Sequence, residues 1–202
     1  MVQKESNHAN HFAHMEIDDY IVASDPELVE LASGGDQQAF EYLFTRYREA
    51  LMRLFEQRLG DKDTAADLLQ ETFIKVYLHI GDYSRSYTFG QWIYTIARNT
   101  LVDHLRRRTN DLSIDDRFRA PQATTPSPEE SVIMNQSRSH FYSAVEELSE
   151  EYRQIIEMRF LEEYSYEEIA EKLGRPINTI KTQIRRAKAA VCKLLLEKES
   201  II

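Results

Sequence analysis

Residues 165–188, SYEEIAEKLGRPINTIKTQIRRAK, leave little freedom in how this part of the chain can fold. Ile169, Ala170 and Leu173 recur at helical spacing. Gly174 can adopt the left-handed backbone that ends a helix, and Pro176 keeps the first helix from running on. Asn178 is the expected N-cap of a second helix, in which Ile180, Ile184, Ala187 and Val191 keep one face apolar. The small Ala170 lets the two helices approach closely, which predicts a helix-turn-helix. The second helix also carries Asn178, Thr179, Lys181, Thr182, Arg185, Arg186 and Lys188, with no acid from Arg175 to Leu196. Phosphate oxygens and base edges in a major groove call for that set of donors. The plainer reading is a solvated basic face on an ordinary helical hairpin. Turn chemistry, small-residue placement and charge segregation together weigh against it.

Composition narrows the fold class. With only 6 Gly and 5 Pro in 202 residues, 42% hydrophobic and 29% charged, the chain reads as soluble and all-α. No apolar run approaches the roughly 18 residues of a membrane span and no signal peptide opens the chain, so no membrane insertion is expected. Cys192, the single cysteine, excludes an internal disulfide and fits a reducing cytoplasm. It falls beside the apolar stripe of the last helix.

The net charge of −9 sits awkwardly with a DNA reader, because phosphate neutralisation supplies most of such affinity. Positive charge most outweighs negative in Arg98–Arg108 and Arg175–Lys193, while acids crowd the first sixty residues and Asp63–Glu71. A chain divided in this way binds DNA weakly alone and shows an acidic surface to something basic. That points to a subunit.

Four segments follow. Residues 1–25 read as a flexible extension. His8, His11 and His14 within it lack the partners of a persuasive metal site, so no metal or cofactor is expected. Residues 26–108 read as a helical domain. Its first helix, from Asp25 or Asp36 to Leu59, ends at Gly60; a second is capped by Asp63 or Thr64 and closed by Gly81; a third covers Phe89–Arg108. Residues 109–128 carry Pro121, Pro126 and Pro128 among polar residues and read as a linker. Residues 129–198 hold a helix using Ile133, Phe141, Val145 and Leu148, another from Ser149 to about Leu161, and the helix-turn-helix. The fold expected is two small helical domains on a flexible tether.

Two surface patterns in the first domain exceed what packing asks for. In DLLQETFIKVY, Asp67, Gln70, Glu71 and Ile74 fall on successive turns, a ridge suited to a basic helical partner. Solubility pairing such as Glu71 with Lys75 explains it as well. The second pattern gathers Tyr83, Tyr87, Phe89, Trp92 and Tyr94, followed by Arg98, Asn99, Asp103, Arg106, Arg107 and Arg108. Aromatics beside a basic, amide-bearing helix face suit unstacked single-stranded bases, at about 1–3 kcal/mol per stacked base. Core packing accounts for much of Phe89 and Trp92.

Across residues 36–193 the chain resembles the extracytoplasmic-function group of bacterial sigma factors. The likeness is sharpest in DLLQETFIKVY, in FGQWIYTIARNTLVDHLRRR and in EEYSYEEIAEKLGRPINTIKTQIRRAK. It implies sigma regions 2 and 4 without further domains, and core RNA polymerase as partner through its clamp coiled coil and flap. Asp67, Leu68, Gln70, Glu71 and Ile74 would then contact polymerase. Tyr83, Tyr87, Phe89, Trp92, Arg98, Asn99, Asp103, Arg106 and Arg107 would hold the melted minus-ten element. Asn178, Thr179, Lys181, Thr182, Arg185, Arg186 and Lys188 would read the duplex minus-thirty-five element. An anti-sigma factor is a further implied partner, and the location implied is the cytoplasm, on the nucleoid within holoenzyme. Each DNA contact is weak alone, and tethering through polymerase makes the second intramolecular.

Two other classes compete. A stand-alone helix-turn-helix regulator would share the C-terminal motif, but its N-terminal domain should be α/β with an acidic phosphorylation pocket. An enzyme needs a phosphate loop, a nucleophile elbow or paired metal ligands. None occurs, and the adjacent Asp103 and His104 point to different sides of their helix.

Overall fold

The computed structural model describes residues 17–108 and 138–197, and among these every regular element is helical. In chain order they are α1 (Ile17–Val22), α2 (Asp25–Ser33), α3 (Gln37–Leu59), α4 (Lys62–His79), a 3-10 turn (Ile80–Asp82) and α5 (Phe89–Arg108). Then follow α6 (residues 138–146) and α7 (Glu150–Ile156), which runs into a π-helical turn (Glu157–Leu161). Last come α8 (Tyr166–Leu173) and α9 (Ile177–Glu197). The histidines of the extension, the expected linker and Ile133 lie outside the described residues.

Local chemistry explains most helix ends. Asp36 caps α3 by accepting from the Ala39 N–H at 3.0 Å, and Gly60 ends it at φ +68°. The cap of α4 is Asp61, earlier than the expected Asp63 or Thr64. Its extended backbone lets the carboxylate accept from the N–H groups of both those residues. At the other end Gly81 does not stop the helix but lies within the 3-10 turn. Residues 17–25, expected in the flexible extension, are ordered against α3. Tyr20 stacks on Tyr42 at 5.5 Å and donates to Asp36, while Arg46 donates to the carbonyls of Tyr20, Ile21 and Ala23.

The first domain is built around α4, which packs against α3 and α5. Phe40, Phe44, Phe73 and Tyr77 meet edge to face at 4.7–5.0 Å, each such pair adding about 0.5–1.5 kcal/mol beyond its buried area. A smaller core of Ile155, Met158, Ile169, Ile180 and Ile184, with Ala170 and Leu173 against it, holds the helix-turn-helix.

The two halves do not stand apart. Phe141, Ala144, Val145, Leu148, Ile156, Ala187, Val191 and Leu195 join the core of the first domain in one cluster, and α9 packs directly on α4. The reason lies in α4, where Ala65, Leu68, Leu69, Phe73, Ile74, Val76, Tyr77 and Leu78 are all buried. A helix with buried residues on most of its sides, Glu71 and Thr72 among them, needs cover on both sides, and α9 supplies the second.

Candidate nucleic-acid interface

The helix-turn-helix is set by a capping box absent from the expected signals. Ser165 accepts from the Glu168 N–H at 3.2 Å, and Glu168 accepts from the Ser165 N–H at 2.7 Å. Gly174 then ends α8 at φ +61°, with open space where a Cβ would stand, so backbone conformation alone asks for glycine. Helix α9 starts at Ile177, and the Pro176 carbonyl accepts from the Ile180 N–H at 3.2 Å. Asn178 therefore lies in the first turn instead of capping it, and its carbonyl accepts from the Thr182 hydroxyl at 3.0 Å. Glu151 braces the turn by accepting from Arg175 at 2.7 Å and Gln183 at 2.6 Å.

Along α9, Asn178, Thr179, Lys181, Thr182, Arg185 and Arg186 are all exposed. Positions 178, 181, 182 and 185 form one ridge at three- and four-residue spacing, with Thr179 and Arg186 flanking it. Of the residues expected on this face, Lys188 alone is not exposed: its side chain is 0% exposed. Lys188 follows Ile184 by four residues and precedes Val191 by three, so it belongs to the apolar stripe and cannot reach a groove from there.

The aromatic loop is more internal than expected. Phe89 is buried, with Tyr47 at 5.5 Å and Tyr83 at 5.7 Å; it is a core residue and not a base contact. Tyr83 and Trp92 are half-buried at 5.5 Å from each other, and the Tyr83 hydroxyl donates to the Tyr87 carbonyl. Burial raises the Tyr83 pKa above its ordinary value. Thr88 and Gln91 exchange hydrogen bonds at 3.0 and 3.2 Å, fixing where α5 begins. The rings left open are Tyr87, at 50% exposure, and Tyr94, at 39%. Tyr94 and Arg98 stand one turn apart on the exposed side of α5, Arg106 is also exposed, and Asn99 and Asp103 are half-buried. Nothing is described of the Arg107 side chain.

The carboxylate ridge departs furthest from expectation. Leu68 and Ile74 are buried in the core, and Glu71, expected on the surface, is 3% exposed. Asp67 and Gln70 are half-buried. The cover comes from the C-terminal half. Arg159 donates to Glu71 at 2.7 Å; Lys188 meets Asp67 at 2.7 Å and Glu71 at 3.6 Å; Arg138 reaches Asp82 at 3.4 Å. Lys75, on the same helix as Glu71, meets it at 3.2 Å and donates to Thr100. Burial opposes the charge of Arg159 and Lys188, but neighbouring groups led by Glu71 and Tyr166 outweigh it, leaving both pKa values raised. Arg159 sits in the π-helical turn, packed over the Tyr166 ring at 5.5 Å. Sequence reasoning missed Arg138 and Arg159 as interdomain groups. The readable signal was at Lys188, since a lysine on an apolar stripe requires a buried acid partner.

Comparison with known proteins gives concordant matches. The sigma-70 region 2 model matches residues 43–110, and a sigma-70 region 4 model matches residues 140–191. The RNA polymerase sigma-H factor of Pseudomonas aeruginosa is 31% identical over 180 residues, covering 85% of this chain and 93% of that protein. The ECF RNA polymerase sigma factor SigW of Bacillus subtilis is 29% identical over 170 residues, covering 80% and 91%. Among solved structures, Rhodobacter sphaeroides SigE in complex with the anti-sigma ChrR is 23% identical, covers 83% of this chain and 95% of that one, and has a TM-score of 0.39.

Proposed function

Since the chain belongs to the sigma-70 family of RNA polymerase sigma factors, in its extracytoplasmic-function group, we propose that it directs core polymerase to promoters by reading two separated elements. The exposed row on α9, Thr179, Lys181, Thr182, Arg185 and Arg186, is the observation that carries this reading. Its hydroxyls and guanidinium groups suit phosphates and base edges of the duplex minus-thirty-five element. Tyr87, Tyr94, Arg98, Asn99 and Arg106 supply a smaller face for the opened minus-ten strand, where exposed rings stack on bases and cations follow the backbone. The carboxylates of Asp67 and Glu71, with the amide of Gln70 between them, are proposed to meet a basic coiled coil of the polymerase clamp. An anti-sigma factor is the second proposed protein partner, and the working compartment is the cytoplasm.

No catalysis is assigned to the chain itself. The contribution proposed is positional: polymerase fixes the distance between two weak DNA contacts, so that one raises the effective concentration of the other. The test adds purified protein to core polymerase and maps transcription start sites on genomic DNA. Specific starts that need both components are expected. Equally tight and selective binding to the same DNA without polymerase would overturn the reading in favour of a stand-alone regulator.

A further inference from the structure

The acidic side of α4 already has an occupant. Three cations of the C-terminal half, Arg138, Arg159 and Lys188, face three acids of the N-terminal half, Asp82, Glu71 and Asp67. Among the described residues the signs do not mix across this boundary. At the Arg159–Glu71 pair water is nearly excluded, with side chains 8% and 5% exposed; Lys188 is 0% exposed, while its partner Asp67 keeps 21% exposure. Lys188 also donates to the Asp67 carbonyl at 3.2 Å, so its hydrogen-bond and ion-pair partners Asp67 and Glu71 both lie across the boundary. Around them the apolar residues of α6, α7 and α9 complete a core with α3 and α4.

We propose that the chain's own C-terminal domain is a competing occupant of the polymerase-docking face on α4, held by an ionic latch of Lys188 and Arg159 on Asp67 and Glu71. The inference rests on the reading of that face as the polymerase site. A basic coiled coil and the cations of the π-helical turn and α9 cannot hold the same carboxylates at once, so docking to polymerase requires the latch to open. The row Thr179, Lys181, Thr182, Arg185 and Arg186 lies N-terminal to Lys188 on α9 and is exposed in the closed form. Closure therefore masks polymerase docking and leaves the proposed duplex-reading face uncovered. If the closed form outnumbers the open one by about a hundred to one, apparent affinity for polymerase falls by about a hundredfold.

The chain carries its own reporter. Cys192, the single cysteine, has its thiol 4.0 Å from the Gln70 carbonyl across the same boundary. Burial there pushes its pKa up to about 12. Modification by a fluorescent maleimide at pH 8 thus follows the open fraction.

The experiment compares the full-length protein with Lys188→Gln and Lys188→Met. It measures Cys192 labelling by gel fluorescence, with and without saturating core polymerase, and the polymerase dissociation constant. Far-UV circular dichroism and thermal unfolding of each variant establish that helix content is retained. Labelling at least tenfold faster in both variants, tighter polymerase binding by a similar factor, and faster wild-type labelling once polymerase is added are expected. Unchanged labelling in folded variants would overturn the latch. Faster labelling with unaltered polymerase affinity would overturn the competition. No polymerase binding by any of the proteins, with the labelling difference intact, would leave the latch standing and sink the polymerase reading.

Discussion

Replacing Glu71 by Ala tests the energetics at the centre of the molecule. Glu71 meets Arg159 at 2.7 Å, Lys75 at 3.2 Å and Lys188 at 3.6 Å, and its side chain is 5% exposed. Truncation leaves Arg159 buried with the Tyr164 carbonyl at 3.3 Å, ring faces and the more distant charge of Asp103, but no carboxylate in hydrogen-bond contact among the described residues. Lys188 keeps Asp67 and suffers less. Breaking a buried pair in this way costs about 3–5 kcal/mol. That is a ceiling, because the C-terminal half can lift off and rehydrate its cations, so the observed loss is capped by the free energy of docking. About 3 kcal/mol is expected, which shifts the closed-to-open ratio by roughly a hundredfold. Trp92, the single tryptophan, lies in α5 and reports unfolding of the first domain by its fluorescence. With a urea dependence of about 1.5 kcal/mol per molar, the midpoint should fall by about 2 M. Adding Arg159→Ala to Glu71→Ala should recover most of the loss, with a coupling of about 2 kcal/mol in the double-mutant cycle. A midpoint shift under about 0.3 M with additive single effects would refute the claim that the ion pair is buried and shared between domains.

Changing both Arg185 and Arg186 to Ala should weaken holoenzyme binding to a minus-thirty-five duplex. Its logarithmic salt slope should become shallower by about 1.8, two phosphates at about 0.9 each, as read by fluorescence anisotropy across salt; an unchanged slope would place the DNA elsewhere. Tyr87→Ala removes a half-exposed ring and should cost about 1–3 kcal/mol in capture of the opened strand while sparing duplex binding, by permanganate reactivity. Normal melting would exclude Tyr87 from that role. Ser165→Ala removes one side of the α8 capping box and should lower stability by about 1 kcal/mol in thermal unfolding. A loss below a few tenths would mean that Glu168 alone holds the turn.

Helix positions were legible where a few neighbouring residues decide them. Phe89–Arg108 has the expected bounds because Thr88 and Gln91 cap it locally and the apolar spacing runs unbroken. The start of α4 was misplaced by two or three residues because Asp61, Asp63 and Thr64 are all competent caps, and extended backbone at Asp61 selects among them. The exposed row on α9 was legible for the same local reason: periodicity assigns each residue a side. Periodicity does not say what stands opposite. Glu71 and Lys188 were expected on the surface because the partners that meet them come from more than eighty residues away along the chain. Phe89 was open to two readings, and contact with Tyr47 and Tyr83 decides for the core.

The amino-acid order alone thus determined the helical class, the helix-turn-helix with its left-handed Gly174, and the acid-free basic stretch from Arg175 to Leu196. These follow from backbone sterics, capping and spacing, all short-range. Only tertiary structure decided that the acids of α4 are met by Arg159 and Lys188 instead of water. Burial of a charge depends on which surfaces meet, and that is a property of the whole packed chain, with α4 needing cover on two sides and α9 being the element that supplies it.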